Sequence, residues 1–262
     1  MTTTGVSAGP VFLRTFYREY RLIFQNRTTL LLGLLPPVVY ILCFVTSMNG
    51  MVAEVQYKAG TVDYSTYVLP AVIVMSMVAG ATQSATLLFG EEMSGMLTEI
   101  FTAPVTKSGF IAGRLICTSS LVLAQALMMF VLASVIVGWR VPPSRLPLVA
   151  VSILLVAVCF NLMYLCVATF FRNQQTFLLV MNIGATVLIF AAPTFYTYSS
   201  MPTALQWLSW ANPVTYGLDV VRSAASGSFG TAGMLSLVIV CALGVVGSAA
   251  TVSTLSKRVA RG

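Results

Sequence analysis

The charged residues of this chain leave long charge-free gaps, and those gaps constrain the fold more than any other feature. No Asp, Glu, Lys or Arg occurs between Arg27 and Glu54, Asp63 and Glu91, Arg114 and Arg140, Arg145 and Arg172, Arg172 and Asp219, or Arg222 and Lys257. A helix needs roughly 20 apolar residues to cross the hydrocarbon core, and inside lipid its backbone must bond to itself. Each gap is long enough for one crossing. We read six transmembrane helices: Thr28–Met48, Tyr67–Phe89, Leu115–Val137, Leu146–Phe170, Thr176–Ala192 and Ala232–Leu255. Of the 262 residues 58% are hydrophobic and 8% charged, against about 25% charged in soluble domains. The expected fold class is therefore an all-α integral membrane protein.

Basic residues set the orientation. With six spans, one side receives Arg14, Arg18, Arg21, Arg27, Lys107, Arg114, Arg172, Lys257, Arg258 and Arg261, and the other only Lys58, Arg140, Arg145 and Arg222. The first side is expected to be cytoplasmic, with both termini inside the cell membrane. The net charge of +7 is then a topology signal. No nucleic-acid partner is expected, because the basic residues are scattered among separate loops rather than gathered in a stripe. The first apolar run starts late, is too long for a signal h-region and contains Pro36-Pro37, so no cleaved signal peptide is expected. The five cysteines, Cys43, Cys117, Cys159, Cys166 and Cys241, all fall inside the spans and read as small apolar packing residues.

Residues 1–10 read as a disordered tail, 11–27 as an interfacial helix, 28–255 as the transmembrane domain and 256–262 as a cytoplasmic tail. In 11–27, Arg14, Arg18, Arg21 and Gln25 recur at helical spacing on one face, with Phe12, Phe16, Tyr20 and Ile23 on another. That pattern suits a helix lying in the membrane interface. The stretch from Glu91 to Arg114 holds three of the seven acids between two long apolar runs, so it must lie in water, where a soluble partner can grip it. It reads as a helix with Glu92, Gly95, Glu99 and Thr102 on one face and Met93, Met96, Leu97 and Ile100 on another. Pro104 ends it, and Ser108 is placed to cap the next span. Between the fifth and sixth spans, Pro193 to Arg222 is too apolar for a free loop and too rich in proline for one helix. With Trp207, Trp210 and several tyrosines, it reads as an outer re-entrant pair of short helices.

Much chemistry is excluded. The chain has no histidine, which removes the usual general base and metal ligand. No acid sits mid-span to form a protease dyad or proton relay, and no GxxxxGK[ST] occurs, so the chain has no phosphate-binding loop of its own. We therefore expect a protein that is not itself an enzyme, and that draws on an outside energy source if it moves anything uphill.

Three stretches together resemble the ABC-2 permeases, the membrane subunits of type-2 ABC exporters, most closely the daunorubicin-resistance and nodulation-factor export type. They are the amphipathic helix before the first span; Glu91-Glu92-Met93-Ser94-Gly95-Met96-Leu97-Thr98-Glu99 followed by Thr102-Ala103-Pro104-Val105; and Met201-Pro202, Leu205-Gln206-Trp207, Asn212-Pro213-Val214-Thr215-Tyr216 and Arg222. The resemblance spans nearly the whole chain. Two positions depart from it. The acidic helix lacks the arginine that many relatives carry, and Ala191-Ala192-Pro193 stands where many have a glycine before an aromatic.

The resemblance implies a permease paired with a separate ABC ATPase, which would bind the ATP and Mg; this chain would bind no cofactor. A second permease copy or a paralogue would complete the pathway, and the exported substrate would be amphipathic: a drug, polyketide or other natural product, lipid or glycan. The helix between spans two and three would be the coupling helix. It would dock on the ATPase through Glu91, Glu92, Gly95, Glu99 and Pro104, with Arg14 and Arg18 of the N-terminal helix. In this family the second and fifth spans face the dimer axis, which implies a pathway lined by Met75 and Gln83, with Ser76 and Ser84, and by Asn182, Thr186 and Phe190. Packing between helices is the competing role for these residues. The alternatives to an exporter are an ion-coupled secondary transporter, which needs ionisable residues within the spans, and a non-transporting scaffold or immunity protein.

Overall fold

A helix that is apolar on every side is suited to the middle of a bundle, and helix α1, Tyr64–Met93, is buried along most of its length. In this computed structural model, which describes residues 13, 16–18, 20–21, 35–45, 54–57, 60–96 and 107–259, α1 is the hub. It packs against α2 (Lys107–Val137), α3 (Leu146–Ala168), α4 (Gln174–Ala191) and α6 (Pro213–Ser226). Val68, Leu69, Val72, Ile73, Met77, Ala81 and Ala85 of α1 are fully buried. Pro70 sits in the second turn of α1, where it removes only one backbone bond from a helix held by its neighbours.

The last helix, α7 (Thr231–Val259), packs along α3. Small residues make this approach possible. A Cβ added at Gly244 would stand 3.0 Å from the Cys159 Cα, and one at Gly247 would stand 3.1 Å from the Leu162 carbonyl oxygen. Lipid offers no hydrophobic drive between helices, so such close backbone contact is a main source of cohesion. By contrast α4 is peripheral, with only Phe177, Met181 and Ala191 buried. Phe177 stacks on Phe89 of α1 at 4.2 Å. The start of α4 is set by Asn173, whose side chain accepts from the backbone N–H of Gln175 (2.9 Å) and Thr176 (3.1 Å).

Among the described residues five helices are long and apolar enough to cross a membrane: Tyr64–Met93, Ala112–Val137, Leu146–Ala168, Gln174–Ala191 and Thr231–Thr254. The chain is a helical, multi-pass integral membrane protein. These five coincide with the second to sixth expected spans, and their ends differ by a few residues. Of the first expected span, Thr28–Met48, residues 35–45 are described; they are helical, with Pro36-Pro37 inside the helix and a π turn at Ile41–Val45. Residues 1–10 and 260–262, with Arg14, Glu99 and Pro104, lie outside the described residues.

Three expectations need correction. First, a short antiparallel ribbon precedes α1, with β1 (Glu54–Tyr57) paired to β2 (Gly60–Asp63) in the register Glu54 to Asp63 and Tyr57 to Gly60. Second, Glu91 and Glu92 belong to the last turn of α1 rather than to a separate helix. α1 ends in a turn at Ser94 and Gly95, and Gly95 has φ +74°, where a side chain is strained. Gly95 is therefore a helix stop. Third, Ser108 falls within α2, Lys107–Val137, rather than just ahead of it. A helix pair, α5 (Thr203–Ala211) and α6, does occupy the segment before the last span.

Candidate functional site

Polar chemistry gathers at three places along α1: its C-terminal end, its middle and its N-terminal end. At the C-terminal end, Glu91 is held between two arginines. Arg18 Nη2 donates to Glu91 Oε1 at 2.9 Å, and Arg114 of α2 donates to Glu91 Oε2. Arg114 is 3% exposed, Glu91 14% and Arg18 31%, so the cluster runs from the bundle interior to its surface. Arg18 Nη2 also donates to Met96 Sδ at 2.8 Å. Beside the ion pairs, Phe16 and Leu87 pack on Cys117 and Leu121. Residues 16–18 are thus anchored on α1 and α2 by one charge and one ring. Sequence reasoning assigned Glu91 and Arg18 to a partner's surface; here each has the other as partner. Glu92 lies on the same turn.

In the middle, a cavity of about 500 Å³ opens between residues 36–40, α1 and α4. Met75, Gln83, Asn182, Thr186 and Phe190 all line it. Ser76 and Ser84 do not: both are fully buried in the bundle, and Ser76 bonds to the carbonyl of Ile73. Asn182 Nδ2 donates to the Leu178 carbonyl (2.8 Å) and Thr186 Oγ1 to the Asn182 carbonyl (2.9 Å). Both bonds stay within α4, so neither residue ties α4 to another helix. Gln83 differs, because its Oε1 accepts from Gln125 Nε2 of α2 at 3.1 Å. Phe190 stands near Phe195 (6.5 Å between ring centres), which meets Tyr40 at 5.4 Å. Two of these three rings, Tyr40 and Phe190, border the cavity.

At the N-terminal end of α1, sequence reasoning missed a second cavity, of about 660 Å³, beneath the α5–α6 pair. Arg222 of α6, read from sequence as an outer loop charge, is 3% exposed. Its Nε donates to the Tyr67 carbonyl (2.9 Å) and its Nη2 to the carbonyls of Pro193 (3.0 Å) and Thr194 (3.3 Å). Its guanidinium lies 3.7 Å from the centre of the Tyr67 ring. Asp219 accepts from the Tyr57 hydroxyl (2.8 Å) and from Ser236 Oγ of α7 (2.9 Å). Burial first, then the Asp219 charge, push the Tyr57 phenol well above its usual range, while Arg222 acts the other way. The available signal was an acid and a base three residues apart, isolated in an otherwise charge-free stretch.

The sequence motif of this region is what holds the helix pair together. Asn212 caps α6 by accepting from the Val214 N–H (2.9 Å), ahead of Pro213 at the first helical position. Its Nδ2 donates to the Leu188 carbonyl (2.6 Å), which fastens the pair to α4. Gln206 Nε2 donates to the Met201 carbonyl (2.9 Å), and the Tyr216 hydroxyl donates to the Trp210 carbonyl (2.6 Å). Trp207 and Trp210 are left on the outside, 68% and 61% exposed.

A bundle of apolar spans, charged at its two ends and open along one lateral cavity, defines a polytopic membrane protein of the permease class. The chain belongs to the ABC-2 type transporter family, whose profile matches residues 11–225. It is similar to the inner membrane transport permease YadH of Escherichia coli (strain K12), with 25% identity over 216 residues, 81% of this chain and 80% of that protein. The proteins of the same name from Escherichia coli O157:H7 and Shigella flexneri match equally. Among the described residues no group of three His, Cys, Asp or Glu side chains is placed to hold a metal ion.

Proposed function

We propose that this chain is the membrane subunit of an ATP-driven exporter, carrying an amphipathic compound out of the cytoplasm or the inner leaflet. It would use a separate ABC ATPase that holds the ATP and Mg, and would not itself be an enzyme. The observation that carries the reading is the lateral cavity. In a chain of the ABC-2 family, five residues chosen from sequence as pathway lining, Met75, Gln83, Asn182, Thr186 and Phe190, border one space. Residues that neither bond across helices nor fill the core, as Asn182 and Thr186, are suited to line a path.

In this reading the chain has six spans and both termini in the cytoplasm, with Lys58 and the α5–α6 pair outside. The 11–27 helix lies in the inner interface. Residues 91–104 carry the coupling surface, with Glu92, Gly95, Glu99 and Pro104 on the ATPase side and Arg14 beside them. Arg18 and Glu91 act one step back, by fixing the N-terminal helix to α1. Two permeases, identical or paralogous, meet across α1 and α4. The drug, polyketide, lipid or glycan carried is a matter for the lining residues.

The test is crosslinking and transport on the same proteins. In a background without Cys43, Cys117, Cys159, Cys166 and Cys241, Asn182→Cys or Thr186→Cys should crosslink between permeases. Phe190→Ala should widen the range of exported compounds without loss of protein. If no crosslink forms anywhere along residues 182–190 and the exported range is unchanged, α4 does not line the path.

A further inference from the structure

The outer cavity and the lateral cavity share no lining residue. The outer one is enclosed by the β1–β2 ribbon, the start of α1, the α5–α6 pair and the start of α7, and its volume lies within the range of small-molecule sites. We propose that it is a binding site for an uncharged, polyhydroxylated ligand of the size and chemistry of a sugar ring. The proposal concerns binding at this cavity and stands whether or not the lateral cavity is the transport path.

Charge comes first. The charged residues among the described lining are Asp219 and Arg222, one of each sign, three residues apart on one helix. A cation entering would meet the field of Arg222, and an anion that of Asp219. Either would give up its water without a net opposite charge to replace it. Arg222 borders the cavity with most of its donors already engaged. Its Nε and Nη2 donate to three backbone carbonyls and its face lies on Tyr67, so it does not present the open fork that captures carboxylate or phosphate.

Hydrogen-bond direction comes second. The Tyr67 hydroxyl donates to the Tyr196 carbonyl (2.9 Å), the Tyr216 hydroxyl to the Trp210 carbonyl and the Ser236 hydroxyl to Asp219. These acceptors carry no hydrogen, so the direction of each bond is fixed. Each hydroxyl has spent its hydrogen inside the protein and keeps oxygen lone pairs for a donor. A ligand must therefore bring O–H or N–H groups, and the charge balance favours the neutral kind. Aromatic surface comes third. Trp210 and Tyr198 border the cavity and are more than a third exposed. Their electron-rich faces suit the weakly positive C–H face of a sugar ring.

The test uses the full chain in sugar-free phospholipid nanodiscs and saturation-transfer NMR with three probes: methyl β-glucoside, choline and acetate. Transfer should reach the ring C–H protons of methyl β-glucoside and saturate. Trp210→Ala should weaken it by about threefold or more, the range of one aromatic contact, and Ser236→Ala should weaken it as well. Trp207→Ala is the control, because Trp207 is equally exposed, sits 5.8 Å from Trp210 and does not border the cavity; it should leave transfer unchanged. Saturable transfer to choline or acetate instead of the glucoside would overturn the proposal. So would no transfer to any probe, or equal losses in the two tryptophan variants.

Discussion

Two arginines are buried to the same 3% exposure at opposite ends of α1, and the bundle neutralises them in opposite ways. Arg114 faces a carboxylate, Glu91, which also holds Arg18 nearer the surface. Arg222 is surrounded by the carbonyls of Tyr67, Pro193 and Thr194 and the face of Tyr67, with Asp219 one turn before it. A charge pair open to water at one side is weakened by screening and can be exchanged for another partner. A guanidinium bonded to carbonyls of three residues fixes backbone positions and offers nothing to exchange. The Arg114 end is therefore built to be rearranged and the Arg222 end to be held, which is the division expected if an ATPase pushes from the Glu91 side.

The largest expected effect follows from the held end. Arg222→Met strips the donor from three carbonyls and leaves Asp219 without its neighbouring cation. Removing one partner of a buried charged arrangement costs about 3–5 kcal/mol. Thermal unfolding in lipid nanodiscs should show a loss of that order, and Arg222→Lys, with its single ammonium, should restore only part of it. A loss no larger than that of a surface substitution would remove the basis of the comparison.

The Glu91 end should yield less. Glu91→Gln leaves Arg114 with a neutral acceptor where it had an anion, and a loss of about 2 kcal/mol is expected because the site is partly open to water. Arg18→Gln should lose about 0.5 kcal/mol, since that arginine is 31% exposed. High salt should reduce the Arg18 effect and leave the Arg222 effect unchanged. If Glu91→Gln costs more than Arg222→Met, the assignment of held and movable ends is reversed.

How much of this could be read in advance depended on which groups had to be found. The positions of five spans follow from charge-free gaps, because lipid admits few alternatives to a helix. The lateral cavity was legible because Asn182, Thr186 and Phe190 repeat every four residues on one helix and so share a face whatever packs around them. Asp219, Tyr57, Tyr67 and Ser236 were not legible as a site. They come from four elements up to 179 residues apart, from Tyr57 to Ser236, and each alone resembles an ordinary interfacial residue. The ribbon escaped because its two four-residue strands are too short to show a period. Glu92 and Gly95 were placed on one helix face with Glu99 because spacing says nothing of a left-handed backbone at Gly95 that ends the helix there.

Alkaline pH should loosen the Arg222 end before the Glu91 end. The Tyr57 phenol is held above the roughly pH 10 value of an unfolded tyrosine. The folded state thus binds this proton more tightly than the unfolded one. Its contribution is complete below about pH 10 and declines as the pH rises beyond. Tyr57→Phe should remove part of the fall in stability measured across that interval, whereas Arg18→Gln should leave the slope as it is. A slope insensitive to Tyr57→Phe would mean that the ribbon is not held through Asp219.

Another small effect separates packing from lining at the middle of α1, between the two arginine ends. Gln83 accepts from Gln125 and also borders the lateral cavity; Gln125 is buried and does not border it. Hydrogen bonds between membrane helices average about 0.6 kcal/mol, so Gln125→Leu and Gln83→Leu should each lower stability by about that amount. If Gln83 serves only to join helices, the two variants should also transport alike, and their double mutant should lose no more than either single one. If it lines a path, the changes in exported range should follow Gln83→Leu alone. Stability and transport measured on the two single variants and the double variant give one coupling energy and one comparison of export. A shift in exported range caused equally by Gln125→Leu would assign Gln83 to packing, and would leave Asn182, Thr186 and Phe190 to carry the lining by themselves.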